Sequence, residues 1–137
     1  MQNHGTVIVT KIFVFNDIGE VLLQRSQIAS IRPHGWDLPG GIVEDNEDPN
    51  NSVLRELKEE SSLKAIDTQV FYIGTELEPV HIITLFYKAK TISTDVTLSP
   101  EHEKFIWAKP EAILDFQMPQ KFVDAVHILS ETETYLQ

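Results

Sequence analysis

Seven of the 21 acidic residues in this 137-residue chain lie between residues 44 and 60. If residues 50–61 form a helix, Glu56, Glu59 and Glu60 fall within about a 100° arc of one helix face. Like charges at these spacings repel one another, and a bound cation relieves that repulsion. The spacing therefore indicates either a cation site or an acidic helix face that is simply solvated.

Two adjacent glycines precede this segment, in the run Leu38-Pro39-Gly40-Gly41. They permit a sharp turn and a close backbone approach, so that main-chain oxygens can join carboxylates around a metal. The segment has no cysteine or histidine for Zn²⁺, and oxygen ligands favour Mg²⁺, with Mn²⁺ as a substitute. Arg55 can pair with Glu59 one turn later or with Glu47 in the loop.

The elements that must position these groups begin with a strand over residues 6–15, apolar on both alternating faces and therefore central in a sheet. Residues 20–25 form a second strand and close a β-hairpin. Residues 26–35 contain Pro33 and Gly35, show no sustained period and predict a loop that borders a site. Asp48, followed by proline, predicts the N-cap of the helix.

The second half of the chain predicts three further strands and a closing helix. The strands cover residues 66–75, 80–90 and 105–108, Lys109-Pro110-Glu111 is a helix-start signal, and the last helix covers residues 119–129. The order β-β-α-β-β-β-α predicts an α/β fold, with one domain over residues 1–137. We expect an α/β/α sandwich with a central mixed β-sheet.

Composition excludes several classes of partner. The net charge of −10 disfavours nucleic acid and anionic membranes. The absence of cysteine excludes disulfides and thiolate metal sites. Neither a signal peptide nor an apolar stretch of membrane-spanning length is visible, so a cytoplasmic protein is expected.

One pattern unites these residues, and it resembles the box of the Nudix hydrolase superfamily, here in its small MutT-like form. The box reads Gly, five residues, Glu, seven residues, Arg-Glu-apolar-any-Glu-Glu-any-Gly-apolar. The matching residues are Gly41, Glu47, Arg55, Glu56, Leu57, Glu59, Glu60 and Leu63. Ser62 stands where the family has glycine, and a serine at a helix end with positive φ costs about 1 kcal/mol. The strand ending in Arg25, the run 36–41 and Trp107 also resemble this family.

The resemblance implies roles for individual residues. The carboxylates of Glu56, Glu59 and Glu60 would hold the metal, and the Gly40 carbonyl would support them. The pair formed by Glu47 and Arg55 would join loop and helix. Two residues compete for the role of general base: Glu56 on the helix, and an acid from a later loop, for which Glu101 fits better than Glu103.

Three further residues are candidate substrate contacts, each with a plainer alternative. Arg25 could bind a phosphate in bidentate fashion or be a surface charge. Trp36 could stack on a base, but packing under the loop is favoured. Gln120 could read a purine edge, although an exposed helix-start residue is favoured.

The resemblance implies a Mg²⁺-dependent enzyme that cleaves the pyrophosphate bond of a nucleoside diphosphate linked to another moiety. Nucleoside triphosphates, ADP-ribose, dinucleoside polyphosphates and sugar nucleotides all stay open as substrates, and so does a homodimer. A non-catalytic nucleotide-binding module is the alternative, but such a module need not keep all three helix carboxylates. A cap hydrolase would need a basic groove, which the charge of −10 does not supply.

Overall fold

The computed structural model describes residues 5–26 and 35–136 of the chain, with side chains up to residue 132. Seven strands form one sheet: β1 (Val7–Phe15), β2 (Val21–Ser26), β3 (Trp36–Asp37), β4 (Gly40–Ile42), β5 (Ala65–Glu76), β6 (Ile82–Thr91) and β7 (His102–Ala108). Helix α1 is Pro49–Ser61, helix α2 is Gln120–Leu136, and a 3₁₀ helix covers Pro110–Asp115. None of these described helices is long and apolar enough to cross a bilayer.

The sheet is mixed, as predicted, and β1 lies at its centre. The main strand order is β3-β2-β1-β6-β5, with β4 paired to β1 and β7 paired to β2. The pairing of β1 with β6 is parallel. The pairings of β1 with β2 and β4, of β2 with β3 and β7, and of β5 with β6 are antiparallel.

Alternate residues of β1 feed two separate apolar cores, which confirms the prediction that this strand is covered on both sides. Ile12 and Val14 pack with Val53 and Leu57 of α1. Phe13 packs on the opposite face in a core to which α2 contributes Phe122, Ala125, Val126 and Leu129. One helix layer on each face of a mixed sheet gives the predicted α/β/α sandwich.

The structure differs from the predicted elements at several boundaries. The short strands β3 and β4 were not predicted, because two or three residues beside Pro39 and a glycine pair show no period. Strand β7 begins at His102 rather than residue 105, since a polar run can still pair with β2. The signal at Lys109 starts a 3₁₀ helix, and α2 continues to Leu136. Of the predicted loop at 26–35, residues 27–34 lie outside the described residues.

Candidate active site

Helix α1 presents its carboxylates because both of its ends and its apolar face are fixed. The side chain of Asp48 accepts a hydrogen bond from the Asn51 N–H, and Pro49 opens the helix. Val53 and Leu57 are fully buried against the sheet, which turns the acidic face away from that core. The helix is capped by Ser62 in the left-handed region, at φ 68°.

Arg55 joins the preceding loop to the helix through a bidentate pair of hydrogen bonds to Glu47. Its Nε donates to Glu47 Oε2 at 2.6 Å and its Nη2 to Glu47 Oε1 at 3.0 Å. This hydrogen-bonded pair lowers the pKa of Glu47 to about 2, and the same contact raises the pKa of Arg55. The geometry agrees with the structural role that the sequence suggested for this pair.

The remaining nitrogen of Arg55 reaches two of the helix carboxylates. Nη1 donates to Glu56 Oε1 at 2.9 Å and to Glu59 Oε2 at 3.1 Å. Arg55 therefore pairs both with the loop and with the residue one turn later. The Glu59 side chain is 57% exposed, whereas that of Glu56 is 18% exposed. Glu59 thus faces solvent at the edge of the cluster.

Glu60 is directed inwards, towards the Gly40–Gly41 turn. Its Oε1 accepts hydrogen bonds from the Gly40 N–H at 3.1 Å and from Gln24 Nε2 at 2.7 Å. Burial, reinforced by hydrogen bonding with Glu56, raises the pKa of Glu60 to about 8 although those two donors oppose the shift. Glu56 and Glu60 therefore form a pair of carboxylates that is unfavourable when both are ionised without a cation.

The glycine pair is required by space as well as by conformation. Gly40 has φ 146°, and a Cβ there would lie 1.9 Å from the Thr10 carbonyl oxygen. A Cβ on Gly41 would lie 2.8 Å from the Glu56 carboxyl group. The bare backbone of this turn consequently lies against both carboxylates of the pair. That its main-chain oxygens join a metal stays a prediction.

The donor set fits a hard divalent cation. Two adjacent carboxylates and a bare main-chain turn offer only oxygen, which suits Mg²⁺ or Mn²⁺ and does not suit Zn²⁺. Over residues 5–26 and 35–132, whose side chains the structure describes, no three Asp, Glu, His or Cys side chains converge as a complete metal cluster. The third predicted carboxylate, that of Glu59, is instead bound to Arg55. The predicted set of Gly40, Glu56, Glu59 and Glu60 stays a prediction.

The other predicted site residues are dispersed around this centre. Glu101 is exposed just before β7, and its negative charge favours the protonated form of His102. Arg25 pairs with Glu103 at 3.3 Å and is 41% exposed. Because Glu103 is occupied by this contact, Glu101 remains the better candidate of the two later acids. Their catalytic roles stay predictions.

The two remaining substrate candidates, Trp36 and Gln120, have contacts within the protein. Trp36 packs against the core on the α2 side of the sheet. Gln120 lies exposed at the start of α2 and donates to Asp124 Oδ1 at 2.9 Å. Neither contact tests whether these side chains also meet a substrate.

Sequence reasoning missed several polar residues beside the site. Lys11 donates to Asp37 at 2.8 Å, and its charge lowers the pKa of Glu60. Gln24 is buried and bonded to both Glu60 and His102. A lysine and a glutamine inside apolar strands were visible signals, but their partners lie far away in sequence.

Comparisons with known proteins agree with this geometry. The sequence model of the family described as NUDIX domain matches residues 5–127. The chain is 24% identical over 115 residues to nucleoside triphosphatase NudI from Escherichia coli O81 (strain ED1a), covering 75% of this chain and 82% of that protein.

Solved structures agree as well. The crystal structure of MutT protein from Methanosarcina mazei Go1 is similar with a TM-score of 0.75 and 29% identity, over 97% of this chain and 99% of that one. A C. elegans Ap4A hydrolase binary complex has a TM-score of 0.75 at 21% identity, over 93% and 98% of the two chains, and supports the fold alone. With the box residues arranged as described and the family matched over most of its length, the chain belongs to the NUDIX family and is a Nudix pyrophosphohydrolase.

Proposed function

We propose that this chain is a Mg²⁺-dependent hydrolase that cleaves the pyrophosphate linkage of a nucleoside diphosphate joined to another moiety. The observation that carries the proposal is the inward carboxylate pair of Glu56 and Glu60 against the bare backbone of Gly40 and Gly41. The pair is costly without a cation and well suited to one. A solvated acidic face would leave both carboxylates exposed.

Glu56, Glu60 and the Gly40 carbonyl would hold Mg²⁺, with Glu59 available at the edge of the cluster. Mg²⁺ bound there would supply charge neutralisation of the phosphates and activation of a water. Arg55 keeps the helix and the loop at a fixed separation through Glu47, so Glu56 and Glu60 would need little rearrangement when the cation binds, whereas Glu59 would turn from Arg55. Mn²⁺ is expected to substitute.

The attacking water must lose a proton, and two residues of this chain are the candidates to accept it. Glu56 accepts a hydrogen bond from Arg55 on Oε1 and lies beside Glu60, where the cation would bind. Glu101 lies exposed immediately before His102, whose ring contacts Gln24. We infer that one of them accepts the proton, and variants of each distinguish the two.

The rest of the substrate would extend towards β2 and β3. Arg25 and Trp36 are paired residues on these neighbouring strands and present a cation and a ring at one edge of the sheet. We propose that Arg25 exchanges its exposed contact with Glu103 for a phosphate, and that Trp36 borders the nucleoside. Gln120 is the proposed contact to the base, after leaving Asp124.

The printed names of the relatives support this substrate class. NudI is named as a nucleoside triphosphatase and the C. elegans protein as an Ap4A hydrolase. Both kinds of compound contain a nucleoside attached to a chain of phosphates. We propose the same class for this chain, within which nucleoside triphosphates, dinucleoside polyphosphates, ADP-ribose and sugar nucleotides are the compounds to compare. The cytoplasmic location and a homodimer also stay proposals.

The test is hydrolysis of that panel by the purified full chain in Mg²⁺, with products identified by mass spectrometry. Water labelled with ¹⁸O shows which phosphorus is attacked. Glu56→Gln and Glu60→Gln are each expected to lower turnover by at least roughly a hundredfold. The matched control is Glu111→Gln, an exposed carboxylate on the 3₁₀ helix, which should leave turnover unchanged. Binding of these compounds without cleavage in Mg²⁺ or Mn²⁺ would overturn the proposal.

A further inference from the structure

A ring of hydrogen bonds begins and ends at Glu60, and most of its members have no role in the site described above. The Ser99 N–H donates to the Glu60 carbonyl at 3.0 Å. Ser99 Oγ lies 3.1 Å from His102 Nδ1, and His102 Nε2 lies 3.2 Å from Gln24 Nε2. Gln24 Nε2 then returns to Glu60 Oε1 at 2.7 Å. The ring joins α1, β2 and the segment that leads into β7.

The chemistry of the ring members fixes its direction. An ionised Glu60 carboxylate only accepts, so the Gln24 amide nitrogen is the donor to it. The second hydrogen of that nitrogen points to His102 Nε2, which must therefore be an unprotonated acceptor. The imidazole proton is then on Nδ1, where it donates to Ser99 Oγ. A flipped amide would direct its oxygen at the ionised carboxylate, which has no proton to donate, and would lose the bond to Glu60.

Gln24 is an unusual residue for its position. It is 2% exposed inside a strand whose neighbours Leu22 and Leu23 belong to the apolar cores. Its Oε1 is buried and finds no hydrogen-bond partner in the part of the chain that the structure describes. A buried acceptor without a partner is destabilising. The amide is useful here through its nitrogen, whose two hydrogens serve Glu60 and His102.

We propose that Gln24 is a positioning residue, oriented by His102 and Ser99, that holds the Glu60 carboxylate in its metal-binding orientation. The proposal rests on the proposed function, since it takes Glu60 as a metal ligand. Without Gln24, the carboxylate would keep the hydrogen bond from the Gly40 N–H, which lies outside this ring, and would be able to rotate about its last torsion. Loss of such a supporting contact typically weakens metal binding by about 10- to 100-fold.

Metal affinity and fold stability separate this role from a purely structural one. We would measure Mn²⁺ binding to the full chain by electron paramagnetic resonance, and melting temperature in a chelator. Gln24→Met is expected to weaken Mn²⁺ binding at least about tenfold. Its metal-free melting temperature is expected to hold or rise, because the unpaired amide oxygen is removed. The control Gln69→Met makes the same exchange at an exposed position of β5 and should change neither quantity.

His102 offers a second pair of variants in case Gln24→Met does not fold. His102→Leu removes the acceptor that orients the amide, and we expect a loss of Mn²⁺ affinity in the same direction. His102→Gln can place an amide oxygen near the former Nε2 position and should restore most of the affinity. In the wild type with Mg²⁺ bound, where Glu60 is ionised, the ¹⁵N resonances of the His102 imidazole should report the Nδ1–H tautomer, assigned by comparison with His102→Gln.

Glu60→Gln separates failure of this inference from failure of the proposed function. If Glu60→Gln binds Mn²⁺ as tightly as the wild type, Glu60 is not a metal ligand and both proposals fall. If Glu60→Gln loses binding while Gln24→Met and His102→Leu keep wild-type affinity, only the positioning role is wrong. An Nε2–H tautomer of His102 in the wild type would also overturn the positioning role.

Discussion

Neutralising Glu60 should stabilise the metal-free protein, and the gain should depend on pH. The folded protein raises the pKa of this carboxyl group from 4.5 to about 8, mainly through burial. A raised folded-state pKa means that the folded protein retains a proton that the unfolded chain releases. The contribution of protonated Glu60 to the free energy of unfolding is therefore complete below pH 4.5 and is lost as the pH rises towards 8.

The size of this effect follows from the shift. Between pH 4.5 and pH 7 the loss is about 3 kcal/mol, at about 1.4 kcal/mol per pH unit. Glu60→Gln is neutral at every pH and can still accept from Gly40 and Gln24, so it avoids the loss. At about 2 to 4 °C per kcal/mol, the variant should melt at least about 5 °C above the wild type at pH 7.

The assay is thermal unfolding in a chelator at several pH values between 4.5 and 8. The gain should vanish near pH 4.5 and grow with pH, whereas added Mg²⁺ should stabilise only the wild type. Glu59→Gln is the matched control, because Glu59 is 57% exposed and its exchange removes a contact with Arg55. A variant that melts no higher than the wild type at pH 8, or one whose gain is equal at all pH values, would refute the reasoning.

Three further changes test the supporting geometry. Ser62→Gly should raise the free energy of unfolding by up to about 1 kcal/mol, because residue 62 has φ 68°. The gain is reduced by loss of the hydrogen bond from the Ser62 hydroxyl to the Thr97 carbonyl. Turnover should change only a few-fold. A tenfold gain in turnover would show that Ser62 holds the carboxylates out of register. Gly40→Ala should cost more than about 2 kcal/mol in chemical denaturation because its Cβ would meet the Thr10 carbonyl. Gly19→Ala should cost about 1 kcal/mol, because its Cβ would make only an ordinary contact, with Lys109 Nζ at 3.5 Å, and the cost would come from the positive φ. Arg55→Lys should lower Mg²⁺-dependent turnover at least about tenfold in steady-state assays, because an ammonium group cannot make the two parallel hydrogen bonds to Glu47. Unchanged turnover would contradict the role of Arg55 in joining the loop to the helix.

The sequence carried enough information to predict the sandwich and the helix that bears the carboxylates. The two-sided apolar pattern of residues 6–15 predicted a central strand, and Asp48-Pro49 predicted where α1 begins. The spacing around Arg55 left two partners open, and the folded chain uses both. These features are local in sequence or repeat with a period, so they can be read without knowledge of tertiary contacts.

What could not be predicted depends on contacts between distant segments. Strands β3 and β4 are too short to show a period and exist because β1 and β2 pair with them. Gln24 looked like an irregularity in an apolar strand, since its partner His102 is 78 residues away. The inward turn of Glu60 and the outward turn of Glu59 also arise from tertiary contacts, because helical spacing alone places both on one face.

The most direct test of the central claim is a crystal of the full chain soaked in Mn²⁺, examined by anomalous diffraction. We predict a peak bound by carboxylate oxygens of Glu56 and Glu60 and by the Gly40 carbonyl oxygen, with Glu59 turned from Arg55 towards the metal. The account would be contradicted if Mn²⁺ supports turnover in solution but the soaked crystal shows no anomalous peak among these groups, or shows its peak elsewhere.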